Sequence, residues 1–185
     1  IGSSLYLYFT YKEKVSPVNV VVVQPNIDPY EKFRRISPTE QIQTLTRLSD
    51  SIAQVNTEYF IWPETAISNG ANEDYIHVNP EFLQAQQFLN KYKNATLISG
   101  LESIKIYKDK KTLSARFDEK SGQYWDHFNA AIQIENSSEI RLYHKSKLVP
   151  GVEKMPFPQL FSFLAPVFRH LGGSTSSYGW QEHPG

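Results

Sequence analysis

Cysteine is absent from this 185-residue chain, which excludes disulfides, thiolate metal sites and any cysteine nucleophile within the sequence itself. A surplus of either charge is missing too. Nineteen Lys plus Arg stand against 19 Asp plus Glu, so the formal net charge is zero and no whole-molecule field draws the chain toward polyanions. Nucleic-acid binding therefore has no electrostatic basis. The basic run Lys105, Lys108, Lys110 and Lys111 is interrupted by Asp109 between strand-like segments and reads as a solvated hairpin tip. His77, His127, His144, His170 and His183 lack the i, i+4 spacing of helical metal sites. They read as ordinary surface or loop residues, and no metal or other cofactor is expected.

Long apolar runs are also lacking. Ile1 to Thr10, IGSSLYLYFT, is too short to span a bilayer. With no initiator methionine and no basic signal region, the chain is expected to begin inside a longer protein. An aromatic, apolar end followed by Lys12, Glu13 and Lys14 has the composition of the last turns of a transmembrane helix at the water interface. Residues 1–14 are read as that helix end or a linker, and an edge strand or tail fits them equally. The remainder, 15–185, is long enough for one domain that buries a core unaided.

Val18 to Val23 is a β-branched run that ends at Gln24-Pro25-Asn26, as a buried strand opening into a loop does. Ser37-Pro38-Thr39-Glu40 combines a Ser cap, Pro at the first helical position and a Glu placed to close a capping box. Ile42, Leu45, Leu48 and Ile52 then give one apolar stripe, with Gln, Thr, Arg and Asp elsewhere on the helix. Tyr59 to Trp62 reads as an internal strand stopped by Pro63, followed by a loop rich in Asn and Gly. Asn79-Pro80-Glu81 starts a second helix, with Phe82, Leu83, Phe88, Leu89 and Tyr92 as its buried side, and Ala95 to Leu101 returns as a strand. Strand, helix, strand, helix, strand implies right-handed crossovers in an α/β layered fold.

After Gly100 the pattern changes to strand-like pieces at Ser103 to Tyr107, His127 to Glu135 and Glu139 to Tyr143. They are separated by turns such as Ser121-Gly122 and Asn136-Ser137-Ser138 and read as antiparallel hairpins that extend the sheet. The proline-rich remainder is expected to be mostly loop, with one short helix near Gln159 to Leu164.

In an α/β sheet ligands collect at the carboxyl ends of the strands. Gln24-Pro25-Asn26, Glu64 and Lys145 all fall there in this reading. A glutamate at the mouth of a strand, beside an ammonium group, can take a proton from a nucleophile. The lysine then serves as a fixed positive charge for the oxyanion of acyl transfer. From spacing alone the pair also reads as a rim salt bridge of small energetic value.

Three ordered motifs carry a resemblance: Val23-Gln24-Pro25-Asn26-Ile27, Trp62-Pro63-Glu64-Thr65-Ala66, and Tyr143-x-Lys145-x-x-Leu148-Val149-Pro150-x-x-Glu153. In this order they resemble the apolipoprotein N-acyltransferases, membrane enzymes of the nitrilase-like superfamily that use a Glu-Lys-Cys triad. The resemblance implies a nitrilase-like α-β-β-α sandwich, incomplete at its C-terminus. It implies Glu64 as general base, Lys145 as the oxyanion-stabilising cation, and Glu153 as a second glutamate that orients the lysine or a loop. It also implies a phospholipid acyl donor, an apolipoprotein acceptor, membrane attachment through segments outside this sequence, and a periplasmic position at the bacterial inner membrane.

Two departures accompany the resemblance. Phe33 stands where many family members carry a Trp on a substrate-contacting loop, and reads as a lipid contact or as an anchor of that loop. The nucleophilic Cys has no counterpart, because the sequence ends at His183-Pro184-Gly185, before its motif is due. The chain is thus expected to be an inactive part of the enzyme domain. A soluble carbon-nitrogen hydrolase such as an amidase or carbamoylase, and a non-catalytic interaction domain of the same fold, are the alternative readings.

Overall fold

The computed structural model describes residues 2–12, 16–28, 36–112, 114–150, 153 and 178–180. Helix α1 (Gly2–Thr10) buries none of its residues. Strand β1 (Val20–Val22) leads to α2 (Pro38–Ile52), whose first turn is closed as its sequence predicts. Ser37 accepts the Glu40 N–H, and Glu40 returns a bond to the Ser37 N–H, with Pro38 just inside the helix. Next come β2 (Tyr59–Ile61), β3 (Ile67–Asn72), a 3-10 helix (Glu73–Val78) and α3 (Pro80–Leu89). The Asn79 side chain caps α3 by accepting the Phe82 N–H. Strands β4 (Thr96–Tyr107), β5 (Arg116–Asp118), β6 (Gln123–Ile134) and β7 (Arg141–His144) complete the described elements.

The strands form one seven-stranded mixed sheet in the order β1-β2-β4-β6-β5, with β3 also paired to β4 and β7 to β6. The α/β class and the crossover order expected from the sequence hold: β1, β2 and β4 are parallel, with α2 and α3 in the connections. The later strands are antiparallel, as their turn chemistry predicts. Gly122, with φ +67°, makes the turn between β5 and β6.

Alternation along the strands separates two faces. Phe60, Leu97, Leu101, Phe128, Ala130, Ile132 and Ile134 pack with Ile42 and Leu45 of α2 and with Phe82, Ala85, Phe88 and Leu89 of α3 in one core. Phe60 meets Phe88 edge-on, with ring centroids 4.9 Å apart. Alternate positions of the same strands point away from the helices.

Several expectations are corrected. The Asn- and Gly-rich segment after Glu64 is not a loop. It forms β3 and the 3-10 helix, with a register shift between Ile67 and Ala71 and with Gly70 at φ +58°. Gly100 does not end a strand, and β4 runs unbroken for 12 residues. The stripe of α2 stops before Ile52, which is exposed, as is Leu83 on α3. Polar Gln41 and Ser49 are buried on α2 instead, because their side chains bond to the segment that carries Glu64. The helix expected near Gln159 to Leu164 lies outside the described residues.

Candidate active site

Glu64 follows β2 by three residues, where Pro63 cannot continue the ladder. The turn around it is held on both sides. From below, Gln41 Nε2 donates to the carbonyls of Thr65 and Ala66, each at 2.8 Å. From the sheet, the Gly100 N–H donates to Pro63 O at 3.2 Å. Any side chain at position 100 would collide here, since a Cβ would lie 2.5 Å from both Glu64 Cα and Pro63 O. Thr65 adopts φ +50°, a left-handed conformation that a β-branched residue rarely takes. Asn26, at the same edge after β1, is left-handed as well, with φ +53°.

Lys145 follows β7, and its backbone N–H donates to Asn129 O of β6 at 2.8 Å. Its ammonium lies 2.7 Å from Glu153 Oε1 and 3.8 Å from Glu64 Oε1. The second Glu153 oxygen accepts the Val149 N–H at 2.7 Å, and the Glu153 N–H donates to Val149 O at 2.9 Å. Glu153 thus bonds at once to the lysine ammonium and to the Val149 backbone. Its side chain is only 13% exposed, against 64% for Glu64. Burial alone would raise the Glu153 carboxyl. The hydrogen bonds from Lys145, the Val149 N–H and Asn129, with the lysine charge, outweigh it and hold the pKa below the ordinary carboxylate range.

The residues read from the motifs therefore come together: Glu64, Lys145 and Glu153 form one cluster. Phe33 lies outside the described residues. The sequence reading missed Asn129, whose side-chain amide donates to Glu64 Oε1 and, at 3.3 Å, to Glu153 Oε1. No local motif marks it. Alternation along β6 was the available signal, since an Asn between buried Phe128 and Ala130 must face the other side of the sheet.

Two histidines taken for ordinary surface or loop residues are in fact structural. His144 stacks on Phe128, with centroids 3.9 Å apart, and its Nε2 meets Glu73 Oε1 at 2.5 Å on the helix-covered side. Burial would raise the Glu73 carboxyl, but hydrogen bonds from His144 and Ser103 and the charges of His144 and Lys105 hold it low. His127 lies 3.1 Å from Glu102 and packs on the Tyr178 ring at 4.9 Å. The Tyr178 N–H donates to Glu153 O and the Gly179 N–H to His127 O, which ties that segment to the cluster. Among the described residues no group of three or more His, Asp or Glu is arranged to hold a metal ion.

Chemically, the cluster sets a solvent-accessible carboxylate beside an ammonium fixed by a second, sheltered carboxylate. The first can accept a proton, and the ammonium can stabilise negative charge developing on a carbonyl oxygen.

No protein-family model matches the chain. Over 175 residues it is 29% identical to an apolipoprotein N-acyltransferase of Chlorobaculum tepidum, a match that covers 90% of this chain and 31% of the relative. The chain thus spans about a third of that protein's length. A glutamine-dependent NAD+ synthetase from Acinetobacter baumannii, solved in complex with ADP, aligns at a TM-score of 0.35 and 14% identity. That alignment covers 60% of this chain and 19% of the synthetase. The resemblance read from the three motifs is thus met by a likeness to an apolipoprotein N-acyltransferase along nearly the whole chain.

Proposed function

From that likeness we propose that this chain is part of the catalytic domain of a lipoprotein N-acyltransferase, with Glu64 as general base, Lys145 as oxyanion-stabilising cation and Glu153 as the group that fixes the lysine. The observation that carries the reading is the single cluster in which Lys145 lies between Glu64 and Glu153, with Asn129 donating to both carboxylates. The nucleophile is a cysteine thiol from residues outside this sequence, so the chain by itself is inactive.

In the intact protein Glu64 takes the thiol proton, and the thiolate attacks the ester carbonyl of a phospholipid. The oxyanion forms beside Lys145. Collapse expels the lysophospholipid alkoxide, which recovers the proton from Glu64 and leaves a thioester. The α-amine of a diacylglyceryl-modified cysteine on an apolipoprotein then attacks the thioester. Glu64 accepts the amine proton and returns it to the departing sulfur. Base and cation act on a substrate at the sheet edge, and each step needs only proton transfer and charge stabilisation.

The N-terminal residues support a membrane-proximal position. Leu5, Tyr6, Leu7, Tyr8 and Phe9 of α1 are all exposed, a composition suited to the interfacial end of a membrane helix. Among the described residues no helix is long and apolar enough to cross a membrane. The proposed position is the periplasmic side of a bacterial inner membrane, with the spanning segments outside this sequence.

The test is acyl-enzyme formation by the intact protein from radiolabelled phospholipid. Glu64→Gln is expected to slow it by about 10²–10⁴-fold while leaving the fold intact by circular dichroism. Undiminished acylation in that variant would remove Glu64 from the mechanism.

A further inference from the structure

Helix α2 reaches across to the segment carrying Glu64 with two buried polar side chains on one face, Gln41 and Ser49. Ser49 Oγ accepts the Trp62 indole N–H at 2.9 Å while donating to Leu45 O at 2.8 Å. Two turns earlier, the Gln41 amide donates both of its hydrogens to Thr65 O and Ala66 O. The two contacts bracket Glu64. Each belongs to a residue far from the three motifs, on a helix that otherwise packs by Ile42 and Leu45.

The bracket is uneven, and the uneven end bears on the carboxylate. Trp62 is also held by its own N–H, which donates to Ile98 O at 2.8 Å, so the Ser49 contact is one of two. Thr65, immediately after Glu64, sits at φ +50°, where a β-branched side chain is strained. Relaxation to an extended φ would swing the peptide that follows Glu64. The Gln41 bonds fix the two carbonyls on the far side of Thr65 in the orientation that the left-handed conformation requires. The other amide atom, Gln41 Oε1, is buried without a hydrogen-bond partner among the described residues. Leaving that oxygen unpaired costs desolvation energy, so the two bonds donated by the amide nitrogen are what hold the buried amide in place.

We propose that Gln41 is a positioning residue for Glu64: its amide locks Thr65 in the left-handed conformation and so aims the carboxylate at Lys145 and Asn129. The proposal rests on the catalytic reading of Glu64 for its effect on rate. Its conformational part does not depend on that reading.

The experiment has two arms. In the chain as described, the HN–Hα coupling of Thr65 reports its φ by NMR. Gln41→Met, similar in volume but without donors, is expected to move that coupling toward the extended value, whereas Ser49→Ala leaves it unchanged. In the intact protein Gln41→Met is expected to lower kcat for acylation by about 10²-fold, the scale of a small displacement of a catalytic group, with KM unchanged. Adding Thr65→Asn, which tolerates the left-handed region, is expected to recover at least about tenfold of that loss. A role in packing alone predicts no such rescue. A folded Gln41→Met chain with the wild-type Thr65 coupling overturns the proposal. If Gln41→Met does not fold, a folded Gln41→Met/Thr65→Asn chain with position 65 still left-handed supports it, and one with position 65 extended overturns it. An inactive wild-type intact protein would sink the acyltransferase reading, and the coupling arm would still decide the role of Gln41.

Discussion

On the helix-covered face of the sheet Phe60, Leu97, Leu101 and Ile132 are fully buried against α2 and α3. On the other face the intervening positions of the same strands carry Tyr59, Gly100, Glu102 and Asn129, and Val20 and Val22 remain 43% and 66% exposed among the described residues. A period of two thus lets one strand serve both the core and the carboxylate-lysine cluster. On the covered face most identities are set by volume, and its core residues are recognisable as apolar. On the other they are set by position, and a glycine or an asparagine can matter more than any aliphatic side chain.

Substitutions can test how separate the two faces are. Phe60→Ala removes a fully buried ring that touches Phe88 and Tyr92 and is expected to destabilise the fold by about 3–5 kcal/mol, measured by urea denaturation. Gly100→Ala tests the comparison from the other side. Its new methyl would face Glu64 Cα and Pro63 O at 2.5 Å, so it is expected to lose about 1–3 kcal/mol despite lying on the face turned away from the helices. A neutral Gly100→Ala would mean that the Glu64 turn is free to lift away.

A pH series gives a smaller, conditional effect. The folded Glu153 carboxyl titrates below its ordinary range. Its contribution to stability is therefore present above the unfolded pKa and lost as pH falls through the lower folded value. Glu153→Gln is expected to flatten that part of the decline in urea midpoint between neutral pH and about pH 3. An equal decline in both proteins would detach Glu153 from the ionic cluster. The smallest change is expected for Val22→Thr, within about 0.5 kcal/mol, because the side chain is largely exposed. A larger loss would show that this face is covered in solution.

What could be read in advance followed chemistry that is local in the chain. The capping box at Ser37 and Glu40 and the Asn79-Pro80 start of α3 rest on contacts within four residues, and both helices begin where those residues stand. Glu64, Lys145 and Glu153 were legible because their motifs are contiguous. Strand β3 was not, because Ser68-Asn69-Gly70 has turn composition and becomes a strand only through pairing with β4. Gly100 looked like a break because its reason, the close passage of the Pro63-Glu64 backbone, comes from 36 residues earlier. Asn129 and Gln41 were hidden for the same cause: each is a polar residue whose partners lie in another element.

The antiparallel ladder of β4 and β6, paired without interruption from Leu97 opposite Ile134 to Tyr107 opposite Tyr124, also bears on the order in which the molecule assembles. Its two strands are joined by a short connection that carries β5, so its closure entropy is modest beside that of the parallel pairings that bring β1 and β2 to β4. Refolding is expected to protect the β4 and β6 amides from hydrogen exchange first. Asn129 would then be in place before the strand delivering Glu64 docks, and acquisition of the cluster would report completion of folding.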